Sequence, residues 1–253
     1  MTTQPGESAA PVSTGSPQGE LGARYEKFVV DLFGVMAYGE LSAFERLSSD
    51  ARYSPTLHDR AVLGRMAVCE FEHFDIVRAR LADMGVDVEL AMRPFQPSID
   101  SFHDRTRPAD WYESLMKVYV IDAISGDFYQ AISEHLDPQT RQVINQVRAS
   151  DESNGLLRDR LKRMLADDPR LASRLALWGR RLVGEALTQA QRVGIEHAFL
   201  MGLGDGARLA GGLGNGGPGD SGPSPVGRSE VARLMAQLTK NHSRRMSQLG
   251  LTA

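Results

Sequence analysis

GVDVELAMRPFQPSIDSFHDRTR, residues Gly85 to Arg107, interrupts a chain whose periodicity is otherwise helical. Before it, Thr56 to Met84 reads as a helix with Val62, Met66, Cys69, Val77 and Leu81 inward, stopped at Gly85. After it, Pro108 opens a helix carried by Leu115, Val118, Tyr119, Tyr129 and Ile132. A helix of 29 residues is ~43 Å long, and an extended chain covers that distance in ~13 residues. The 23 residues of the interruption can therefore run the length of a bundle, which leaves the flanking helices parallel.

Working outward, Arg24 to Asp50 forms a first helix, with Phe28, Val29, Leu32, Phe33, Met36, Ala37, Phe44 and Leu47 on one stripe. A few residues around Ser54-Pro55 join it to the second. Asp137-Pro138 is a cap followed by an N1 proline and starts a fourth helix with Ile144, Val147, Leu157, Leu161 and Leu165. Asp168-Pro169 repeats the signal for a fifth, carried by Leu171, Leu175, Trp178, Leu182, Ala186 and Val193. Short connections make antiparallel hairpins. Two hairpins joined by one long crossover resemble the ferritin-like arrangement. The expected fold is all-α: a four-helix bundle of that kind, a fifth long helix and a tethered C-terminal helix. An ordinary up-down bundle with a loose loop is the alternative, but it would waste Pro94, Phe95, Pro97, Ile99 and Phe102.

The chain has 253 residues, 42% hydrophobic and 24% charged, with a formal charge of -3, enough for one sizeable core or at most two small ones. Residues 1–22, rich in Pro, Gly, Ser and Thr, read as a disordered leader, and 23–203 as the helical domain. Residues 204–227 read as a Gly-rich flexible linker, and 228–250 as a basic amphipathic helix. That helix carries Arg228, Arg233, Lys240, Arg244 and Arg245 against Glu230. Cys69 is the only cysteine, which excludes an internal disulfide and cysteine-based zinc or iron–sulfur sites. No apolar run reaches the ~18 residues of a membrane span, and no secretory signal is visible, so a cytoplasmic setting is expected. The glycines after Met201 lack the Gly-Lys-Ser/Thr ending of a phosphate loop.

Polar residues fall where the core should be. Glu70-x-x-His73 lies on the apolar face of the second helix, between Met66 and Val77. Glu40 lies on the stripe of Phe33, Met36 and Phe44, and Asp122 on that of Val118 and Tyr119. Asp151-x-x-Asn154 lies on the stripe of Ile144, Val147 and Leu161. Each hairpin thus repeats an acid followed by an acid-x-x-polar pair, with 30 residues from Glu40 to Glu70 and 29 from Asp122 to Asp151. Four carboxylates meeting at mid-bundle repel one another unless cations neutralise them. Carboxylate-rich ligation suits iron, with manganese as the alternative. The competing reading is a metal-free polar core in which Arg148 and Arg158 turn inward to pair with Asp122 and Asp151. Asp127 competes with Asp122 but lies ~7.5 Å further along the axis. Tyr38, Tyr119 and Tyr129 read as core residues within reach of the centre. His103, His135 and His197 lack partner acids at ligand spacing. Trp111 and Trp178 read as packing between helices.

These residues resemble the ferritin-like di-iron superfamily, and within it the tRNA 2-methylthio-N6-isopentenyladenosine hydroxylase-like family. The similarity spans residues 24–200. It rests on Glu40, on Cys69-Glu70-Phe71-Glu72-His73-Phe74 continuing to Leu81 and Gly85, on Ile121-Asp122-Ala123 with Ser125, and on Leu136-Asp137 before Asp151-x-x-Asn154. The resemblance implies a metal site of Glu40, Glu70, His73, Asp122, Asp151 and Asn154, holding iron at two positions. It implies O₂-dependent hydroxylation of an isopentenyl group on modified tRNA, with a redox partner. The second half departs from the family's Glu, Glu-x-x-His pattern. Asp122 and Asp151 are each one methylene shorter than glutamate, and Asn154 replaces an imidazole, which weakens the second site to a mono-iron or degenerate centre. The alternative is a non-catalytic partner-binding module with an eroded metal site. Iron storage has less support, since nothing indicates a shell of subunits. Gly179, Gly184 and Gly194 point to close helix contacts, such as those of a homodimer. The acidic main body argues against strong RNA binding, while the basic C-terminal helix could touch nucleic acid, an acidic partner or the bundle itself.

Overall fold

A computed structural model describes residues 17–133, 135–149, 153–192 and 225–252, and among these the chain is helical with no strand. Helices α1 (Pro17–Asp50) and α2 (Leu57–Asp83) form the first hairpin, turned by a single 3-10 turn at Ala51–Tyr53. α1 starts inside the expected leader and ahead of the expected Arg24. Pro17 suits a first turn, where its missing N–H costs nothing, and Glu20 places a carboxylate there. The rest of the leader, residues 1–16, lies outside the described residues, as does the expected linker up to 224. Thr56 caps α2 by accepting the Asp59 N–H at 3.1 Å, and Gly85, at φ 72°, ends the segment.

The crossover is not extended chain. It folds as two short helices, α3 (Val88–Met92) and α4 (Gln96–Arg105). Asp87 caps α3 by accepting the Leu90 N–H at 2.9 Å, and Pro97 sits in the first turn of α4. Ala91, Phe95 and Phe102 are buried, so the crossover seals one side of the bundle. α3 rides so close to α1 that a Cβ on Gly34 would overlap the Ala91 carbonyl oxygen.

The second half begins with α5 (Trp111–Ser133). The expected single fourth helix is described as two, α6 (Pro138–Ala149) and α7 (Ser153–Asp167), with 150–152 outside the described residues. Asp137 Oδ1 accepts the N–H groups of Gln139 and Thr140 at 2.9 and 3.0 Å, starting α6. Asp168 does the same for Arg170 and Leu171, starting α8 (Pro169–Arg192). α9 (Pro225–Gln248) packs on α5 and α8 and buries Leu234, Leu238 and Met246. Met246 answers part of the glycine puzzle: a Cβ on Gly179 would meet its Cε at 2.6 Å, so that glycine admits the chain's own C-terminal helix. Gly184 has nothing close, and Gly194 lies outside the described residues. Trp111 and Trp178 are buried as expected. Val62 is 41% exposed instead of inward, because the inner face of α2 runs one residue later through Leu63, Met66 and Ala67.

The core comes in two apolar blocks stacked along the bundle axis. On α1, Phe28 to Ala37 belong to one block and Leu47 to the other. On α2 the change falls between Ala67 and Phe74, on α5 between Val120 and Ile132, and on the α6–α7 segment between Val147 and Leu157. Glu40, Glu70, His73 and Asp122 all sit in these intervals, so the bundle changes from one block to the other at the level of its internal acids. Fully buried side chains such as Phe33 and Met36 in one block and Leu63 and Leu115 in the other contribute about 1.5–3 kcal/mol each.

Two glycine replacements test the packing of the crossover. Gly34→Ala is expected to lower stability by about 1–3 kcal/mol, because backbone must shift to admit one methyl. Gly184→Ala, in open space on α8, is expected to raise it by up to about 1 kcal/mol through helix propensity. Thermal unfolding of both variants against the parent chain measures the contrast.

Candidate metal centre

Glu40 projects from the second half of α1, and Glu70 and His73 from one face of α2. The hairpin sets them opposite each other. His73 Nδ1 stands 3.5 Å from Glu40 Oε2 and 3.5 Å from Glu70 Oε2. All three side chains are nearly enclosed, at 15% exposure for Glu40, 12% for Glu70 and 11% for His73. One donor atom from each lies within 4.8 Å of the others. Donors sharing an ion at ~2.1 Å stand roughly 3–3.5 Å apart, so a small inward movement completes the site. Two carboxylates and one imidazole form a donor set that suits iron or manganese.

Protons hold the cluster together when no cation does. Burial pushes the Glu70 carboxyl up, His73 opposes it and Glu40 adds to it, leaving Glu70 raised to about 7. Burial alone would lower His73, but hydrogen bonds to Glu40 and Glu70 outweigh it and raise the imidazole to about 10. Tyr129 is raised as well, first by burial and then by the charge of Glu40.

The triad opens on a cavity of about 290 Å³. Asp122, Tyr129 and Arg148 share its wall, and apolar side chains from α1, α4, α5, α8 and α9 complete it. Asp122 stands outside the tight triad but lines this cavity, at the level expected from the spacing. Asp127, its competitor, is committed elsewhere. Arg245 of α9 donates to both of its carboxylate oxygens, at 2.5 and 2.6 Å, and Asn241 donates at 2.9 Å. That pairing holds Asp127 below the ordinary carboxylate range despite its burial. Asp151 lies outside the described residues, and Asn154 is described only as part of α7.

The arginines of the competing metal-free reading have other partners. Arg148 Nη1 donates to Gln130 Oε1, and Arg158 Nε donates to Asp159 at 3.2 Å. Tyr38 donates to Asp100 on α4 at 2.7 Å, while Tyr119 is buried in the core. Of the three tyrosines, Tyr129 is the one on the cavity wall.

The periodicity missed a buried polar chain beside the centre. Lys117 Nζ donates to Thr106 O at 3.0 Å and to His103 Nδ1 at 3.1 Å. His103 Nε2 then donates to Ser42 Oγ at 3.1 Å, and Ser42 donates to Gly39 O at 2.9 Å, the residue before Glu40. Burial is the main force lowering Lys117 to about 7 and His103 to about 3; Lys117 then lowers His103 further. A second cavity, about 50 Å³, joins Lys117 and Asp50 to Glu70, His103 and Asp122. One signal was legible: Lys117 is the lone charge within the buried run Ser114 to Val120. His103 and Gln189, which also lines the larger cavity, carried none.

A cation entering the triad must displace protons from His73 and, below about pH 7, from Glu70. Affinity for Mn(II) is therefore expected to rise by at least about tenfold between pH 6 and pH 8, with net proton release. Calorimetric titration in buffers of different ionisation enthalpy measures both. Affinity that is flat or falls over this range would contradict the protonated triad.

Three comparisons bear on this arrangement. Residues 23–206 match a family described as "Ferritin-like domain, actinomycetes". No curated protein sequence matches. Among solved structures the chain is similar to one titled "Protein 19 with aldehyde deformylating oxidase activity from Synechococcus", with a TM-score of 0.53 and 20% identity over 90% of this chain and 97% of that one. At that identity the likeness carries the fold. No helix among the described residues is long and apolar enough to cross a membrane.

Proposed function

Because this chain belongs to the ferritin-like domain family of actinomycetes, we propose that it is an iron-dependent oxidase of the ferritin-like class acting on an apolar group. One observation carries the reading: the buried triad of Glu40, Glu70 and His73 opens directly onto a cavity walled mainly by hydrocarbon. Glu40, Glu70 and His73 hold the first ion, and Asp122, with Asp151 and Asn154, offers a weaker second position. Bound iron supplies one-electron chemistry with O₂. The chain's own residues do the rest. Apolar walls exclude water and strengthen every charge interaction inside. Glu70 and His73 give up protons as the cation enters. The aldehyde deformylating oxidase activity of the Synechococcus protein is one reaction that a carboxylate centre facing an apolar cavity suits.

The cavity also bears on the narrower expectation of a tRNA hydroxylase. A volume near 290 Å³ equals about ten liquid waters, so it holds roughly ten non-hydrogen atoms. An isopentenyl group fits, with its nucleoside left outside. That substrate and a free small molecule are separated by assaying both.

The test is metal content after expression in iron-rich medium. At least about one iron per chain is expected, falling at least about tenfold in Glu70→Ala with His73→Ala while the helical circular dichroism persists. Less than about half an iron per chain, unchanged in the double variant, would favour the non-catalytic module and overturn the oxidase.

A further inference from the structure

Gln189, near the end of α8, is 6% exposed, and neither Oε1 nor Nε2 has a hydrogen-bond partner among the described residues. It lines the 290 Å³ cavity with Ala186 and Leu187 of its own helix and Met235 and Leu238 of α9. An amide buried without partners is costly, and a leucine would occupy the same place without that cost. An orphaned donor and acceptor in a predominantly apolar cavity amount to a polar reading head with nothing yet to read.

We propose that the cavity binds a neutral amphiphile: a hydrocarbon chain carrying one uncharged carbonyl or hydroxyl group, which hydrogen-bonds to the Gln189 carboxamide. The carboxamide offers one donor group and one acceptor, so it matches a head that accepts, donates or does both. An anionic head finds no net positive charge on the wall, since Glu40, Glu70 and Asp122 offset His73 and Arg148, and the carboxamide beside it is neutral. Burying a carboxylate there would go uncompensated. The volume limits the bound part to roughly ten non-hydrogen atoms. This assignment names the substrate class of the proposed oxidase and rests on that cavity being its substrate site. Binding itself needs no metal, so the two readings fail separately.

The experiment uses the full chain stripped of metal and measures binding of 1-nonanol, nonanamide, nonanoate and nonane by displacement of an environment-sensitive fluorophore. The parent chain is expected to bind the two neutral head groups more tightly than nonane, and nonanoate more weakly than either neutral ligand. Gln189→Leu should lower affinity for 1-nonanol and nonanamide by roughly 5–30-fold, leave nonane unchanged or tighter, and leave the melting temperature equal or higher. Gln189→Asn, which keeps the amide on a shorter stem, should retain part of the preference for neutral heads. The proposal is overturned if no ligand binds the parent chain, if nonanoate binds best, or if Gln189→Leu weakens all ligands alike. A lowered melting temperature with unchanged selectivity also overturns it, since Gln189 would then serve the fold alone.

Discussion

Like charges do not share a dry interior unless something answers them, and this bundle puts three carboxylates and an imidazole at one depth. Isolated carboxylates there would cost several kcal/mol each. The protein meets that cost in stages. His73 keeps its proton between Glu40 and Glu70, and Glu70 itself is driven toward protonation. A divalent cation does the same work with one particle. The two apolar blocks above and below the acids bind the helices firmly enough to carry this strained level between them.

Holding donors in place needs more than the helices that bear them. α4, which belongs to the crossover, reaches both sides of the centre through His103. On one side Ser42 and the Gly39 carbonyl fix the turn of α1 that carries Glu40; on the other Lys117 fixes α5, which carries Asp122. Every polar atom named in that chain has a partner, which is the condition under which a buried network rigidifies instead of weakening a core. α9 closes the far wall in a comparable way. Its Arg245 and Asn241 grip Asp127, and its Met235 and Leu238 line the cavity.

The helical stripes and caps were legible because they are local: Thr56, Asp137 and Asp168 each announce a helix within three residues. The acids Glu40, Glu70 and Asp122 were legible because charge on an apolar stripe breaks a period that packing enforces. The crossover was legible in length but not in form. Pro94 and Pro97 punctuate it, and helices of 5 and 10 residues are too short to establish a period. The Lys117–His103–Ser42 chain joins positions 61 and 14 residues apart, and the Arg245–Asp127 pair spans 118. No local pattern encodes such pairings; they exist only once tertiary packing brings the elements together. Cavity-facing Gln189 is hidden for a similar reason, since a glutamine near a helix end reads as solvated until its burial is known.

Among the described residues the donor triad comes from the first hairpin alone, and the reach of an acid side chain bears on that. Glu40 and Glu70 reach across the first hairpin to meet His73, whereas Asp122 stops on the cavity wall. An aspartate carboxylate reaches roughly 1.5 Å less far than a glutamate's, about one carbon–carbon bond. Asp122 takes its place on the wall beside the triad. The first hairpin thus holds a complete donor triad without the second. The second hairpin lends its helices to the wall of the apolar cavity, where Ile121, Ile124, Phe128 and Val147 stand beside Asp122.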